Sequence, residues 1–278
     1  MEIINRIPRM ISITRQLRTE GKRIGLVPTA GCLHEGQLSL MSRADEFCDS
    51  VIVSIISDQS DEKPSTDIAR DSELAFTRGA HFIFAPAAED LFAKGSSTFV
   101  TVEELSEKLE GARLPGHFRD ATTLMHKLLN IAHPHFAFLG RKDAQQAIIV
   151  KRMVRDLAMD VEIVVCPIVR EEDGLALSSS NAGLSTEERK AAIVLRRALE
   201  RCQSLYNGGV REAGRLIGSM RSTIEAEPLA RIDYVAVTDI ERLEEVALVP
   251  GDTPTLVSLA VYIGATRLRD NIVLDGEL

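Results

Sequence analysis

Three segments of the 278-residue chain carry side chains whose types and spacing suit phosphate chemistry. In PTAGCLHEGQLSL (28–40), Gly31 and Gly36 allow close backbone approach, and a helix predicted to begin near Gly36 offers N–H groups and the positive end of its dipole. His34, just before that helix, is a candidate donor to a phosphate oxygen, although a capping or packing role fits it as well. This is not a Walker loop: Gln37 stands where the lysine of GxxxxGK(S/T) would be. In GRKDAQQ (140–146), Lys142 and Asp143 start another predicted helix, with Gln145 and Gln146 one turn in. A lysine at a helix start is disfavoured by the dipole unless an anion is present, so this arrangement asks for a phosphate or a carboxylate. The alternative is a solvated pair of Lys142 with Asp143 or another acid, against which stands its position directly behind a strand. VREEDGLALSSSN (169–181) adds Ser178, Ser179, Ser180 and Asn181, donors that are an ordinary loop unless they converge on the other two segments.

What must position these residues is a set of short apolar runs. Residues 24–29 (IGLVPT), 50–56 (SVIVSII), 81–86 (HFIFAP), 135–140 (HFAFLG) and 161–167 (VEIVVCP) read as buried parallel strands. Between them helical spacing appears in Leu40, Ala44 and Phe47, in Leu124, Leu128 and Ile131, and in Ala147, Val150, Val154 and Leu157. Alternation of this kind predicts an α/β fold with a doubly wound parallel sheet, whose ligands bind beyond the carboxyl ends of the strands. After about residue 175 the pattern changes. Charged helical stretches at 186–205 and 210–226 precede the strand-like ARIDYVAVTD and TLVSLAVYIG, which predicts a smaller α+β unit.

Composition narrows the partners. Thirty-three Lys and Arg against 41 Asp and Glu give a net charge of -8, and no basic block could follow a phosphate backbone, so nucleic acid is not expected. No apolar run approaches the roughly 18 to 20 residues of a membrane-spanning helix, and the first residues lack the pattern of a secretory signal. A cytoplasmic protein starting at Met1 is the expectation. Cys32, Cys48, Cys166 and Cys202 are too widely spaced for a CxxC pair and sit in or beside apolar stretches, so all four are expected to be reduced and to fill space. With no Trp and 4% aromatics, the core must be aliphatic.

VPTAGCLHEGQLSL, LPGHFRDATTLMHKLLNIAHPHFAFLGRKDAQQ, MVRDL, VREEDGLALSSSNAGLSTEER, ARIDYVAV and TRLRDNIVL, in that order, resemble the pantothenate synthetase family from one end of the chain to the other. The family belongs to the nucleotidyltransferases with a HIGH-type motif. The resemblance implies a ligase that activates pantoate with ATP as an acyl adenylate, releasing pyrophosphate, and then transfers the acyl group to β-alanine with loss of AMP. It implies a Rossmann-like ATP- and pantoate-binding domain at 1–175, a C-terminal lid domain at 176–278, Mg²⁺ on the phosphates, and a homodimer. It also places Ala30, Gly31, Cys32, Leu33, His34, Glu35, Gly36, Gln37, Gly140, Arg141, Lys142, Asp143, Val169, Leu177, Ser178, Ser179 and Ser180 along ATP. Gln146 is placed against pantoate, and His34, Lys142 and position 37 take catalytic roles.

Four positions depart from the family pattern. PTMGALHEGHLSL carries a second histidine, a proton donor or phosphate-stabilising group, where this chain has Gln37; an amide can donate but cannot become cationic. FVNPLQF falls on residues 56–62 (ISDQSDE), which puts Asp61 at the position of the glutamine that binds pantoate and β-alanine, with Gln59 two residues earlier. A carboxylate there opposes a carboxylate ligand. SSRN becomes SSSN, with Ser180 in place of an arginine, and GEKD becomes GRKD, which introduces Arg141. These changes leave three readings open: a pantothenate-forming ligase of impaired or altered activity, a ligase for a different carboxylic acid, or a catalytically weak or inactive member acting as a nucleotide- or acid-binding module.

Overall fold

The computed structural model describes residues 2–56 and 67–278. The chain forms two compact units, the first comprising Met1–Ser106, Leu114–Gly140 and Ile149–Cys166, the second Glu107–Arg113, Arg141–Ile148 and Pro167–Leu278. Two short pieces of the span 1–175, residues 107–113 and 141–148, are thus grouped with the C-terminal segment, whose own run begins at Pro167.

In chain order the first part contains β1 (Glu2–Ile4), α1 (Ile7–Thr19), β2 (Ile24–Thr29), α2 (Glu35–Phe47), β3 (Ser50–Ile55), α3 (Ile68–Thr77), β4 (Phe82–Phe84) and α4 (Ala88–Leu91). It continues with α5 (Glu110–Arg113), α6 (His117–Ala132), β5 (Phe136–Gly140), α7 (Ala144–Asp156) and β6 (Glu162–Cys166). The strands of the first unit form one six-stranded sheet in the order β1-β4-β3-β2-β5-β6, and every pairing is parallel. The five predicted strands are present. β1 is an addition that its pattern does not announce, being three residues long with a glutamate at its start. Helices cover the sheet, so its strands read as continuous apolar runs rather than alternating ones. Val27, Met41, Val51, Val53, Ile83 and Phe138 are buried in one of its cores. Gly25 allows β2 to pack closely here, because a Cβ at that position would lie 2.9 Å from Cys48 Sγ and 3.3 Å from the Phe138 ring.

From β2 the chain winds through β3 and β4 toward one edge of the sheet, then returns to β5 on the other side of β2. The topological switch point therefore lies between β2 and β5, which pair at Gly25 with Phe136 and Leu26 with Ala137. The two segments singled out for phosphate chemistry are the ones that leave these two strands.

The second unit adds α8 (Thr186–Ala192), α9 (Val194–Asn207), α10 (Ala213–Glu225), β7 (Ala230–Asp239), β8 (Thr255–Ile263) and β9 (Thr266–Leu274). Its three strands form an antiparallel sheet in the order β7-β8-β9, with Leu195, Leu199, Leu216, Met220, Val237 and Val257 in its core. The predicted stretch 186–205 is divided into α8 and α9. β9 is unforeseen as a strand because Asp270 interrupts the alternation of Arg267, Leu268 and Arg269.

Cys48, Cys166 and Cys202 are buried free thiols, and burial pushes those of Cys48 and Cys202 up to about 11. Cys32 corrects the expectation of four space-filling cysteines. It follows Gly31 (φ +85°), has φ +52° itself and is exposed, so the left-handed turn carries its side chain outward. Among the described residues no helix is long and apolar enough to cross a membrane.

Candidate active site

The turn after β2 is held by contacts almost entirely its own. His34 is the N-cap of α2 in an extended conformation, and its Nδ1 accepts the N–H of Gly36 at 3.1 Å. Gln37 reaches back, its Oε1 accepting the N–H of His34 at 3.0 Å, which makes a reciprocal capping box. This geometry has a chemical consequence for the imidazole. With Nδ1 as acceptor, the neutral ring carries its proton on Nε2, and the cap fixes the orientation of the ring. The capping and phosphate-donor readings of His34 are therefore compatible, as they use different nitrogens.

Contacts from α3 add to it. Leu33 N–H donates to Oδ1 of Asp71, a fully buried aspartate of α3, at 3.0 Å. Asp71 is absent from the residues expected from sequence; a lone carboxylate in RDSELAF is the sign it leaves. Leu33 is buried and Ala30 exposed, while the carboxylate of Glu35 is gripped by Arg78 at 2.7 and 3.0 Å. Glu35 thus ties α2 to the end of α3.

After Gly140 ends β5, Arg141–Asp143 form a single 3₁₀ turn before α7. Asn271 donates to the carbonyls of Arg141 at 2.9 Å and Lys142 at 3.1 Å, and Arg269 holds the Asp143 carboxylate at 2.8 Å. Lys142 is partly buried; burial lowers its ammonium pKa, opposed by the charge of Asp143 and reinforced by that of Arg269. Arg141 is also partly buried and its pKa is lowered, first by burial and then by Arg170, while its Nε has no partner among the described residues. A guanidinium remains charged under these conditions, so Arg141 brings a fixed positive charge directly before Lys142 after β5.

The two glutamines of this segment part company. Gln145 is buried and spans two backbone groups, accepting from Glu110 N–H at 2.9 Å and donating to Lys108 O at 2.7 Å. Gln146 is partly buried and is the one of the pair left to the ligand reading. In the serine segment, Leu177 N–H bonds Val169 O at 3.0 Å, closing a short hairpin, and Ser178 Oγ accepts Ser180 N–H at 3.3 Å. Asn181 anchors this stretch through Glu171 at 2.7 Å and Ala176 O at 3.1 Å.

Residues 30–37 and Gly140 thus belong to the first unit, and Arg141–Asp143, Gln146, Val169 and Leu177–Ser180 to the second. Asp61 and Gln59 lie outside the described residues.

A six-stranded parallel sheet, with a capped helix start and a dibasic turn directly following its two switch-point strands, defines a Rossmann-like α/β protein. Comparison with known proteins is more particular. The family model described as pantoate-beta-alanine ligase matches residues 2–273. Pantothenate synthetase of Heliobacterium modesticaldum is 47% identical over 283 residues, covering 99% of this chain and 100% of that one, and that of Pelotomaculum thermopropionicum is 45% identical with 100% of both covered. The crystal structure of pantothenate synthetase from Thermus thermophilus aligns with a TM-score of 0.89 at 34% identity, covering 98% of this chain and 99% of that one. The pantoate-beta-alanine ligase from Francisella tularensis, complexed with beta-gamma ATP and beta-alanine, aligns with a TM-score of 0.77 at 28% identity, covering 100% and 99%. The chain belongs to the pantoate-β-alanine ligase family.

Proposed function

We propose that this chain is an ATP-dependent ligase that condenses pantoate with β-alanine, with AMP and pyrophosphate as by-products. A pantoate carboxylate oxygen attacks the α-phosphorus of ATP, and the bond to pyrophosphate breaks. The β-alanine amine then attacks the acyl carbon, AMP leaves and the nitrogen loses a proton. The observation that carries this reading is the family match over residues 2–273. The arrangement of polar groups supports it: attack by an anion on a triphosphate needs positive charge and oriented donors, and His34 Nε2, Lys142 and Arg141 have that character.

In this reading Ala30 to Gln37, Gly140 to Asp143, Val169 and Leu177 to Ser180 contact ATP, while position 61 and Gln146 contact pantoate and β-alanine. Mg²⁺ enters on the phosphates of ATP. Among the described residues no group of three His, Cys, Asp or Glu side chains is placed to hold a metal, and Mg²⁺ is commonly bound largely through substrate phosphates and water. The homodimer and the cytoplasmic setting, where ATP is at hand and thiols stay reduced, come with the same family reading.

Pantoate activation is weakened in this proposal. The Gln37 oxygen is engaged in the cap, so position 37 offers a neutral amide donor instead of a cation. Ser180 supplies no charge, and Asp61 repels a carboxylate, while Arg141 compensates in part. The experiment is AMP release from ATP with pantoate and β-alanine, run beside a panel of other hydroxy acids. AMP with pantoate upholds the reading, AMP with another acid alone replaces the substrate, and none with any acid leaves a binding module.

A further inference from the structure

TRLRDNIVL is a motif for which the reaction itself supplies no use, and the fold gives it one. On β9, Arg267, Arg269 and Asn271 alternate along one face. Arg267 grips Glu110 at 2.7 and 3.0 Å and Asp233 at 2.7 Å. Two residues on, Arg269 holds Asp143; two further on, Asn271 bonds the carbonyls of Arg141 and Lys142. One strand face thus supports, rung by rung, the short helix α5 and the dibasic turn.

The orientation of the Asn271 amide follows from its partners. Both neighbours are carbonyl oxygens, so the nitrogen must face them, and each of its two protons is used. Its Oδ1 is buried without a partner among the described residues. An unpaired buried oxygen is unfavourable, which indicates that the side chain is there for its donors. The carbonyls of Arg141 and Lys142 belong to the two peptide planes that flank the Lys142 Cα. Holding both planes sets φ and ψ at that residue, and with them the direction in which its side chain departs.

We propose that Asn271 is a positioning residue for Lys142, aiming its ammonium at the nucleotide phosphates by clamping the two peptide planes on either side of it. The inference rests on the reading of Lys142 as a phosphate-binding cation. Arg269 assists by holding the adjacent Asp143 carboxylate.

A double-mutant cycle tests the proposal, with Asn271→Leu, Lys142→Ala and both together, read by calorimetric ATP affinity with Mg²⁺ and by single-turnover AMP formation with pantoate. Asn271→Leu should lower affinity or rate by about tenfold or more beside Lys142, and by less than about twofold once Lys142 is alanine. An equal loss in both backgrounds overturns the inference, because a merely structural defect does not depend on Lys142. Should the leucine variant fail to fold, as judged by thermal melting, Asn271→Ser, which keeps one small donor, takes its place in the cycle with a smaller but equally Lys142-dependent loss expected. A parent that binds ATP yet releases no AMP with any acid removes the ligase reading and leaves the affinity cycle to decide the positioning role. A parent that binds no ATP overturns both.

Discussion

The turn after β2 and the turn after β5 carry the same sort of chemistry but are built in opposite ways. At His34 the ring and the backbone are held by Gly36 and Gln37, within three residues, while the neighbouring Leu33 and Glu35 find Asp71 and Arg78 on α3 and at its end. At Lys142 the carbonyls are held by Asn271, about 130 residues away in the chain, within a network that also joins Arg267, Arg269, Glu110 and Asp233. A locally wired turn forms with its helix and is lost with its helix. A turn wired across the chain depends on the second unit being folded, and its lysine is aimed by residues that never meet the substrate.

The largest effect that separates the two turns should come from Glu110. Its burial pushes the carboxyl upward, but hydrogen bonding from Arg267 and the charges of Arg269 and Arg267 outweigh this and hold it below the ordinary carboxylate range. Glu110→Ala takes from Arg267 one of its two carboxylate partners, leaving Asp233, and should cost about 3 kcal/mol of stability in chemical denaturation of the second unit. The pH dependence has a definite sign. A carboxyl with a depressed folded pKa contributes fully above its unfolded value, near 4.3, and loses that contribution as pH falls through the lower folded value, so Glu110→Gln should flatten the acid limb of the stability curve.

Lys142→Ala comes next and tests function rather than fold. Removing one charged donor from a developing phosphate charge should lower single-turnover AMP formation about 10²- to 10³-fold, with little change in melting temperature. A loss of less than about fivefold would remove Lys142 from the phosphates.

Position 37 should separate cap from catalysis. Gln37→Ala loses the reciprocal acceptor and should cost about 1 kcal/mol of stability, while Gln37→Glu keeps the acceptor and adds a favourable charge at a helix start. The glutamate variant should therefore melt at or above the parent temperature yet form AMP more slowly, since its charge opposes the phosphates. Gln37→His should accelerate adenylate formation if its cationic donor outweighs the lost cap; measuring rate and melting temperature together distinguishes the two contributions.

The smallest effect lies away from both turns. His135 Nδ1 accepts the N–H of Ile24 at 3.0 Å, and burial, with help from Arg18, lowers its pKa. The unfolded chain takes up the proton first, so this contribution is complete above about pH 6.5 and erodes as pH falls toward the folded pKa. His135→Asn, which retains an acceptor that does not titrate, should reduce the pH dependence of stability just below pH 6.5; an unchanged slope would show that His135 is not its source.

Much of the architecture could be read from the chain because its causes are local. Buried parallel strands are short apolar runs, helices repeat their apolar positions, and a capping box is written within four residues, so β2 to β6 and the start of α2 are legible in the sequence. The family motifs gave the reaction class for the same reason, being contiguous stretches. What pattern could not reveal were contacts whose partners lie far along the chain. Nothing in GRKDAQQ says that Gln145 bridges Lys108 and Glu110 while Gln146 does not, and nothing in LHEG says that Glu35 will pair with Arg78 or that Leu33 will find Asp71. β9 was hidden because Asp270 breaks the alternation that Arg267, Leu268 and Arg269 begin, and tertiary structure employs that same aspartate, buried and held by Arg170 at 2.7 and 2.9 Å. Sequence by itself determined the elements, the capped histidine and the family; tertiary structure decided which polar side chains hold the Lys142 turn, because a donor's worth depends on which acceptor folding brings within 3 Å of it.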